Sequence, residues 1–528
     1  MNRERLRELA SAQIDGHLPA EGFDELESLL ADQGARREYL QYVFLHGELA
    51  CAEDVLRSLS EQEVTVTPAS RKSLASFWSM ALAAGLLVAV TVTASFIHPR
   101  PPSEPSTIGT LASVAAFDWQ AAPPLNTASL SPGTVRMAGG EANIRFRGGA
   151  DVTLAGPAVY GVSGQDHSAL FAGRLAARVH DARLPFVIET PGVRVVDRGT
   201  EFGVSVSSTG ETEVHVFEGS VEIQSRVRLP KHYWSFDDAD FRDHAGELAA
   251  TPRGGARRGA GLVSSGALHC DNARGSGLWI AAEDQNAFAV STGVTVEALI
   301  QPRWSAEGWS TRSAYDYDEI FRKEDGHQRI LLSFQNDHGP VPSVPSVSAG
   351  PCLSFGLNLA GHGYSELDMP LDGLEGRPAL AELKDGKPHH VVASYNSYTG
   401  VKSIAIDGRI VFSTSFPAGT LIISGGTAPA IIGNLPAGIE PFDGSIDEVA
   451  FYDFALTEEE VADHFAHVTG GRNYFGQTPG ESASASGGWK ATTELAAGDA
   501  GRFDAVTGVS LGRLPADRSR FASPRRID

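Results

Sequence analysis

Basic residues are scarce in this chain: 43 Lys and Arg stand against 65 Asp and Glu, a formal charge of −22. A general nucleic-acid-binding role needs a basic face, so that balance excludes one. Several chemistry-bearing motifs are missing as well. There is no His-Glu-x-x-His pair and no Gly-x-x-x-x-Gly-Lys loop. Zinc-protease and P-loop chemistry of those kinds therefore have no residues to run on. Only three cysteines occur, Cys51, Cys270 and Cys352. Long apolar runs are equally rare, and a single one is free of ionisable side chains.

That run, Leu74 to Ile97, is long enough as a helix to cross a hydrocarbon core of about 30 Å at about 1.5 Å per residue. It predicts one transmembrane helix over 74–97. Arg57, Arg71 and Lys72 precede it while only Arg100 follows closely, which places the N-terminus in the cytoplasm. Trp78 suits the headgroup boundary. Pro99, Pro101, Pro102 and Pro105 make 98–107 an extended spacer. This topology puts Cys51 on the reducing side and Cys270 with Cys352 outside, where disulfides persist. Either those two form a bridge, adding about 4–5 kcal/mol in the chain-entropy model, or they are separate buried thiols.

Residues 1–72 read as a small all-α head. Phe23, Leu26, Leu29 and Leu30 recur at helical spacing, and Tyr39, Leu40, Val43 and Phe44 do so again after Gly34. A head this small buries little surface. Its apolar face (Phe23, Leu26, Leu30, Tyr39, Val43) either meets a partner helix or closes a mini-bundle. The string Asp15-Gly16-His17-Leu18, then Phe23-x-x-Leu26-x-x-Leu29-Leu30, Arg36-Arg37-x-Tyr39-Leu40-x-Tyr42 and Leu45-His46, resembles the N-terminal segment of membrane-bound anti-sigma regulators. The resemblance implies an extracytoplasmic-function sigma factor as partner. One subgroup carries a His-x3-Cys-x2-Cys zinc site. Here His46 is followed by Ala50, Cys51 and Asp54, so a closed tetrahedral site is not available.

From 108 to 228 the period changes to two. Short runs rich in Val, Ile, Phe and Thr alternate with turns at Gly148-Gly149, Pro191-Gly192 and Thr209-Gly210, which predicts an all-β domain. The segments Leu170-Phe171-Ala172-Gly173-Arg174-Leu175, Pro185 to Pro191, Arg198-Gly199-Thr200-Glu201-Phe202-Gly203-Val204 and Val216-Phe217-Glu218-Gly219-Ser220-Val221 resemble the FecR family in order and spacing. Gly199 and Gly219 suit positive φ between strands, and Phe202 and Phe217 suit inward-facing sites.

A second β-rich unit spans 231–468. Tyr233-Trp234-Ser235-Phe236-Asp237, Val294 to Pro302, His389 to Tyr395, Ile404 to Gly408 and Phe442 to Val449 resemble a LamG-like, concanavalin-type jelly roll. The closing Leu456-Thr457-Glu458-Glu459-Glu460-Val461 carries a capping box, with Thr457 as N-cap and Glu460 at N3. The resemblance implies a glycan or protein ligand, and calcium in some members. Asp237, Asp443 and Asp447 are the candidate hard-cation ligands, with Asp447 anchoring a turn through backbone N–H groups as the competing reading. Glu297 alternates with Val294, Val296 and Ala298 and is expected on the solvent face. The nearest approach to a strand-borne acid array, Glu366-Leu367-Asp368-Met369-Pro370, has proline at its third position, and His389-His390 point to opposite faces of a strand, so no enzyme is expected.

Residues 469–528 are rich in Gly, Ala and Ser and predict a low-complexity, disordered tether. The whole reads as a multidomain chain: a small all-α head, one transmembrane helix, an all-β FecR-like domain and a LamG-like β-sandwich. The expected function is single-pass signalling of the anti-sigma type in a bacterial inner membrane, with both β domains exported. A surface-anchored adhesion or scaffold protein is the alternative.

Overall fold

The computed structural model describes residues 109–522 apart from 116–129, 181–184, 198, 274, 285–286, 304–316, 327, 338–342, 349 and 479–486. The helical head with Phe23, Leu26, Leu30, Tyr39 and Val43, the apolar run 74–97 and the spacer 98–107 all lie outside the described residues. Among the described residues no helix is long and apolar enough to cross a membrane. The described residues belong to one compact unit.

Its first part is built from β1 (Gly109–Ala115), β2 (Gly133–Met137), β3 (Glu141–Phe146), β4 (Ala150–Val162), β5 (His167–Val179), β6 (Phe186–Glu189), β7 (Val193–Asp197), β8 (Glu201–Val206), β9 (Thr212–Glu218) and β10 (Ser220–Val227). Alternation sets the core: Ile144, Phe146, Val152, Leu154, Leu175, Phe186, Val195, Phe202, Val204, Val214 and Val216 point inward together. Neighbouring strands are antiparallel except β5 and β6. Gly199 sits at φ +140 and Gly219 at φ +77, conformations that a side chain would strain. Phe202 is a core residue, as its strand position requires. Phe217 is not: it is half-buried and meets the Phe521 ring, centroids 5.8 Å apart.

The second part is a sandwich. Its strands are β11 (His232–Trp234), β12 (Ala250–Arg253), β13 (Arg257–Gly259), β14 (Ala267–Asp271), β15 (Gly277–Ile280), β16 (Gly293–Pro302), β17 (Asp318–Asp325), β18 (Gln328–Asp337), β19 (Gly350–Leu359), β20 (Gly363–Pro370), β21 (His389–Asn396), β22 (Val401–Ile406), β23 (Arg409–Ser415), β24 (Ala430–Ile432) and β25 (Asp443–Tyr452), with a short helix α1 (Leu380–Leu383) and a closing helix α2 (Glu458–Thr469). One sheet runs β13-β14-β25-β16-β21-β22-β23 with β11 also on β25, and the other runs β12-β15-β24-β17-β18-β19-β20. Val294, Val296, Ala298 and Ile300 of the first sheet meet Ile330, Leu332, Phe355 and Leu357 of the second in one apolar core. Face-to-face antiparallel sheets of this kind are a β-sandwich. The capping box is present: Thr457 Oγ1 accepts from Glu460 N at 3.2 Å, and Glu460 Oε2 accepts from Thr457 N at 2.7 Å.

The last segment corrects the sequence reading. Residues 488–522 are not a loose tether: they form β26 (Gly488–Ala496), β27 (Asp499–Phe503) and β28 (Ser510–Pro515). β26 pairs antiparallel with β10, β27 with β9, and β28 with β27. Leu495, Ala500, Phe503 and Phe521 are buried, Leu495 and Phe503 within the core of the first β domain. A Cβ on Gly203 would come within 2.7 Å of the Phe521 ring, so that glycine lets the segment lie against the sheet. Four anchors in 35 residues leave no periodic pattern in the sequence, because β9 and β10 supply the rest of the packing.

Candidate functional site

The face of the seven-stranded sheet turned away from the sandwich core carries a buried, partly polar floor assembled by register. Across it, in line, stand Trp279, Ile431, Arg322, Leu331, Gly356 and Glu366. Beside them runs a second row, Glu319, Ser333, Ser354 and Asp368. Arg322 bridges Glu319 at 2.8 Å and Glu324 at 2.7 Å. Glu324 also pairs with Arg329, whose guanidinium lies 4.5 Å from the Tyr364 ring centroid. Tyr364 donates to Glu366 at 2.6 Å, and Ser354 donates to Asp368 at 2.5 Å. Burial pushes the Glu319 carboxyl well above its ordinary value against the pull of Arg322, with neighbouring Glu440 adding to the rise. Glu440 is raised too, chiefly by burial.

Glu319 and Asp368 are three strands apart, about 14 Å at the usual inter-strand spacing. A glycosidase pair sits about 5–9.5 Å apart, so these two do not form one. The sequence drew attention to Glu366 and Asp368 but missed Glu319, Arg322 and Glu324, whose i, i+3, i+5 spacing matches no strand period. A bulge between Glu319 and Phe321 turns Glu319 and Arg322 to the same side.

The opposite sheet carries a buried polar cluster under α2. Glu297 is fully buried, not on a solvent face as expected, because α2 and the residues after it cover that side of β16. It accepts from His390 Nε2 at 2.7 Å, His464 Nδ1 at 2.9 Å and the Tyr452 hydroxyl at 2.7 Å. Burial alone would raise its pKa, but His464 and His390 hold it down to about 2. His389 turns the other way, to Asp407 at 2.9 Å. Glu448 lies at a bulge with φ +50 and accepts from the Tyr233 hydroxyl.

The three candidate calcium ligands do different work. Asp237 Oδ1 accepts from Ser264 Oγ at 2.6 Å and from the backbone N–H groups of Ser265 and Gly266 at 2.8 and 3.0 Å. Asp447 accepts from the backbone of Leu262 and Glu448, both at 2.8 Å. Burial pushes its pKa up to about 7. Asp443 pairs with Arg303 at 2.8 Å. Among the described residues no three His, Cys, Asp or Glu side chains are grouped to hold a metal ion. Asp237 and Asp447 each anchor a turn by accepting backbone N–H groups. Cys270 and Cys352 are not bridged either. Cys270 is in the sandwich core on β14, its thiol pushed up to about 12 by burial, while Cys352 on β19 shares the outward parity of Ser354.

The β domains are tied to each other directly. Arg228, in the connector, makes a bidentate pair with Glu460 of α2 at 2.5 and 2.6 Å. Arg226 reaches Asp453 at 2.6 Å, Thr292 donates to Glu189 at 2.9 Å, and the Tyr398 hydroxyl donates to the Thr190 carbonyl at 2.9 Å. Phe171 packs against Tyr398 with ring centroids 5.0 Å apart.

Residues 133–222 match the family model of the FecR protein, and residues 274–462 match that of the concanavalin A-like lectin/glucanases superfamily. Two successive regions of the chain are thus similar to known families, the first to the FecR protein and the second to the concanavalin A-like superfamily. No curated protein matches it. Among solved structures, it is similar to the binding domain of Paraclostridial Mosquitocidal Protein 1, at 13% identity and TM-score 0.34, covering 45% of this chain and 52% of that one. It is also similar to domain 4 of AbnA, a GH43 extracellular arabinanase from Geobacillus stearothermophilus, at 19% identity and TM-score 0.29, covering 44% of this chain and 97% of that one. The chain thus spans about half the length of the first of these. The FecR match stops at 222 and the concanavalin match at 462, so the C-terminal strands that complete the FecR sheet lie outside both.

Proposed function

We propose that this chain is a single-pass regulator of the anti-sigma type, anchored in a bacterial inner membrane with its head, 1–72, in the cytoplasm. The concanavalin-like domain binds an exported glycan or protein ligand, the FecR domain relays the bound state, and the head holds an extracytoplasmic-function sigma factor. The observation that carries this reading is the order of parts: a FecR match at 133–222 follows a helix-patterned head and the charge-free run 74–97. Support for ligand binding comes from the match of residues 274–462 to the concanavalin A-like lectin/glucanases superfamily. A ligand shifts the relay only if it binds one state better than the other.

The test is co-purification of the full chain from its own host. A sigma factor is expected in the eluate, and Leu26→Asp with Leu30→Asp is expected to remove it. Absence of any sigma factor from the wild-type eluate refutes the reading. The rigid tie through Arg226, Arg228 and Thr292 favours a second reading, a fixed scaffold that displays the concanavalin-like domain without relaying. That protein would co-purify with surface glycans and no sigma factor.

A further inference from the structure

Beyond β28, residues 516–521 turn back over β8 and β9 and close around one buried imidazole, that of His215. Ala516 N donates to the Gly498 carbonyl at 2.8 Å, and Asp517 N donates to His215 Nδ1 at 3.2 Å. Arg518 pairs with Glu201, which Arg178 also holds. Arg520 reaches Glu213 at 2.6 Å, a carboxylate it shares with Arg502 at 2.9 Å. Phe521 is buried against the His215 and Phe217 rings, centroids 5.1 and 5.8 Å away, over the space that Gly203 leaves open.

Because Nδ1 of His215 accepts the Asp517 N–H, the ring is the neutral tautomer with its proton on Nε2. Nε2 faces Arg520 Nη1 at 3.5 Å and Glu213 Oε2 at 3.6 Å. The strand neighbours of His215, Gly203 on β8 and Ala500 on β27, bring no charge. From β5, Arg174 donates to the Arg520 carbonyl at 3.3 Å and adds a further cation. A second proton on the ring would land on Nδ1, against the Asp517 N–H, and set a cation beside Arg520. The carboxylates nearby are already engaged: Glu213 by two guanidiniums, Asp517 by Ser519 N and Oγ at 3.0 and 2.6 Å. Burial and Arg520 accordingly hold the imidazole below its ordinary value, over the opposing pull of Glu213 and Asp517.

We propose that residues 516–521 are an acid-released latch on the first β domain, with His215 as its trigger. Latched, His215 is neutral; released, it takes its proton near the ordinary value of about 6.5. A histidine whose pKa is lower in the latched state stabilises that state fully above about pH 6.5, and the contribution is lost as pH falls below it. Release parts Glu201 and Glu213 from Arg518 and Arg520 and bares Phe217, which leaves an acidic, aromatic surface on β8 and β9. The device does not depend on the sigma-factor reading.

The test is hydrogen exchange of the full chain in detergent at about pH 7.5 and about 5.5, each rate referred to the intrinsic rate at that pH. Protection of the Asp517 and Phe521 amides is expected to fall severalfold, at most about tenfold, the limit set by one pH unit below about 6.5. Protection across 499–503 is expected to change less than about twofold. His215→Asn, whose side-chain oxygen accepts where Nδ1 does and does not titrate, is expected to keep the latch equally protected at both pH values. Phe521→Ala is expected to lower protection at both. A second readout needs no variant of His215. With isotope-labelled histidine, its ring signal, identified by its shift in Phe521→Ala, is expected to titrate below about 6.5 in the wild type and nearer that value in Phe521→Ala. Equal wild-type protection at the two pH values, or a fall of the same size in His215→Asn, overturns the inference. So does a wild-type ring midpoint at or above about 6.5, whatever the variants do.

Discussion

Replacing Phe503 by alanine tests whether the C-terminal segment is part of the FecR core. Phe503 is 1% exposed and belongs to the same apolar cluster as Val195, Phe202 and Val214. It sits on β27, which is held to β9 through the Ala500–His215 and Phe503–Thr212 pairs. A phenylalanine buries about 150–250 Å², worth about 4–6 kcal/mol at about 25 cal/mol per Å². Truncation of a buried phenylalanine to alanine costs about 3–5 kcal/mol in practice. Urea unfolding of the full chain, followed by circular dichroism and tryptophan fluorescence, is expected to show a loss in that range. Leu511→Ala serves as the control, because Leu511 is 51% exposed and such surface changes stay within about 0.5 kcal/mol. If Phe503→Ala costs no more than Leu511→Ala, the segment does not complete the sheet and the fold described for 488–522 is wrong.

Stability of the α2 cluster depends on pH from both sides. Glu297 has its pKa depressed, so its contribution is full above about 4.5 and fades as pH falls toward about 2. His464 keeps its proton above its ordinary value, burial opposing and Glu297 prevailing, so its contribution fades as pH rises through that raised value. Asp447, raised to about 7, adds a loss as pH climbs from about 4 to 7. Urea midpoints are therefore expected to peak at about pH 4–4.5, and His464→Gln should flatten the limb above about pH 6.5; an unchanged limb refutes the pairing. Arg228→Ala removes a bidentate junction pair and should cost about 1.5–3 kcal/mol, with faster exchange at the first turn of α2; unchanged exchange there refutes the tie. A calcium chelator should leave the melting temperature within one degree, whereas Asp447→Ala, which orphans the Leu262 and Glu448 N–H groups, should cost about 1–3 kcal/mol.

Strand periodicity, the FecR segments and the helix cap at Thr457 were legible because each is local: alternation, turn glycines and an N3 glutamate act within a few residues. Gly199 and Gly219 were legible for the same reason. What escaped was set by partners distant in sequence. Glu297 reads as a solvent-facing residue until α2, 160 residues later, is laid over it. Phe217 reads as core until Phe521 is seen to occupy its other side. The C-terminal strands read as a tether because their hydrogen-bonding edge and most of their apolar surroundings belong to β9 and β10. The polar floor was half visible, through Glu366 and Asp368. The bulge that aligns Glu319 with Arg322 has no mark in composition.

Transcript profiling bears most directly on whether the head acts on a sigma factor. In the chain's own host, deletion of the protein is expected to change a confined set of promoters sharing one recognition sequence. The full chain should restore them, and a form lacking residues 1–72 but retaining the membrane run should not. An unchanged transcriptome, or restoration by the headless form, contradicts regulation through the head and leaves the scaffold reading in its place.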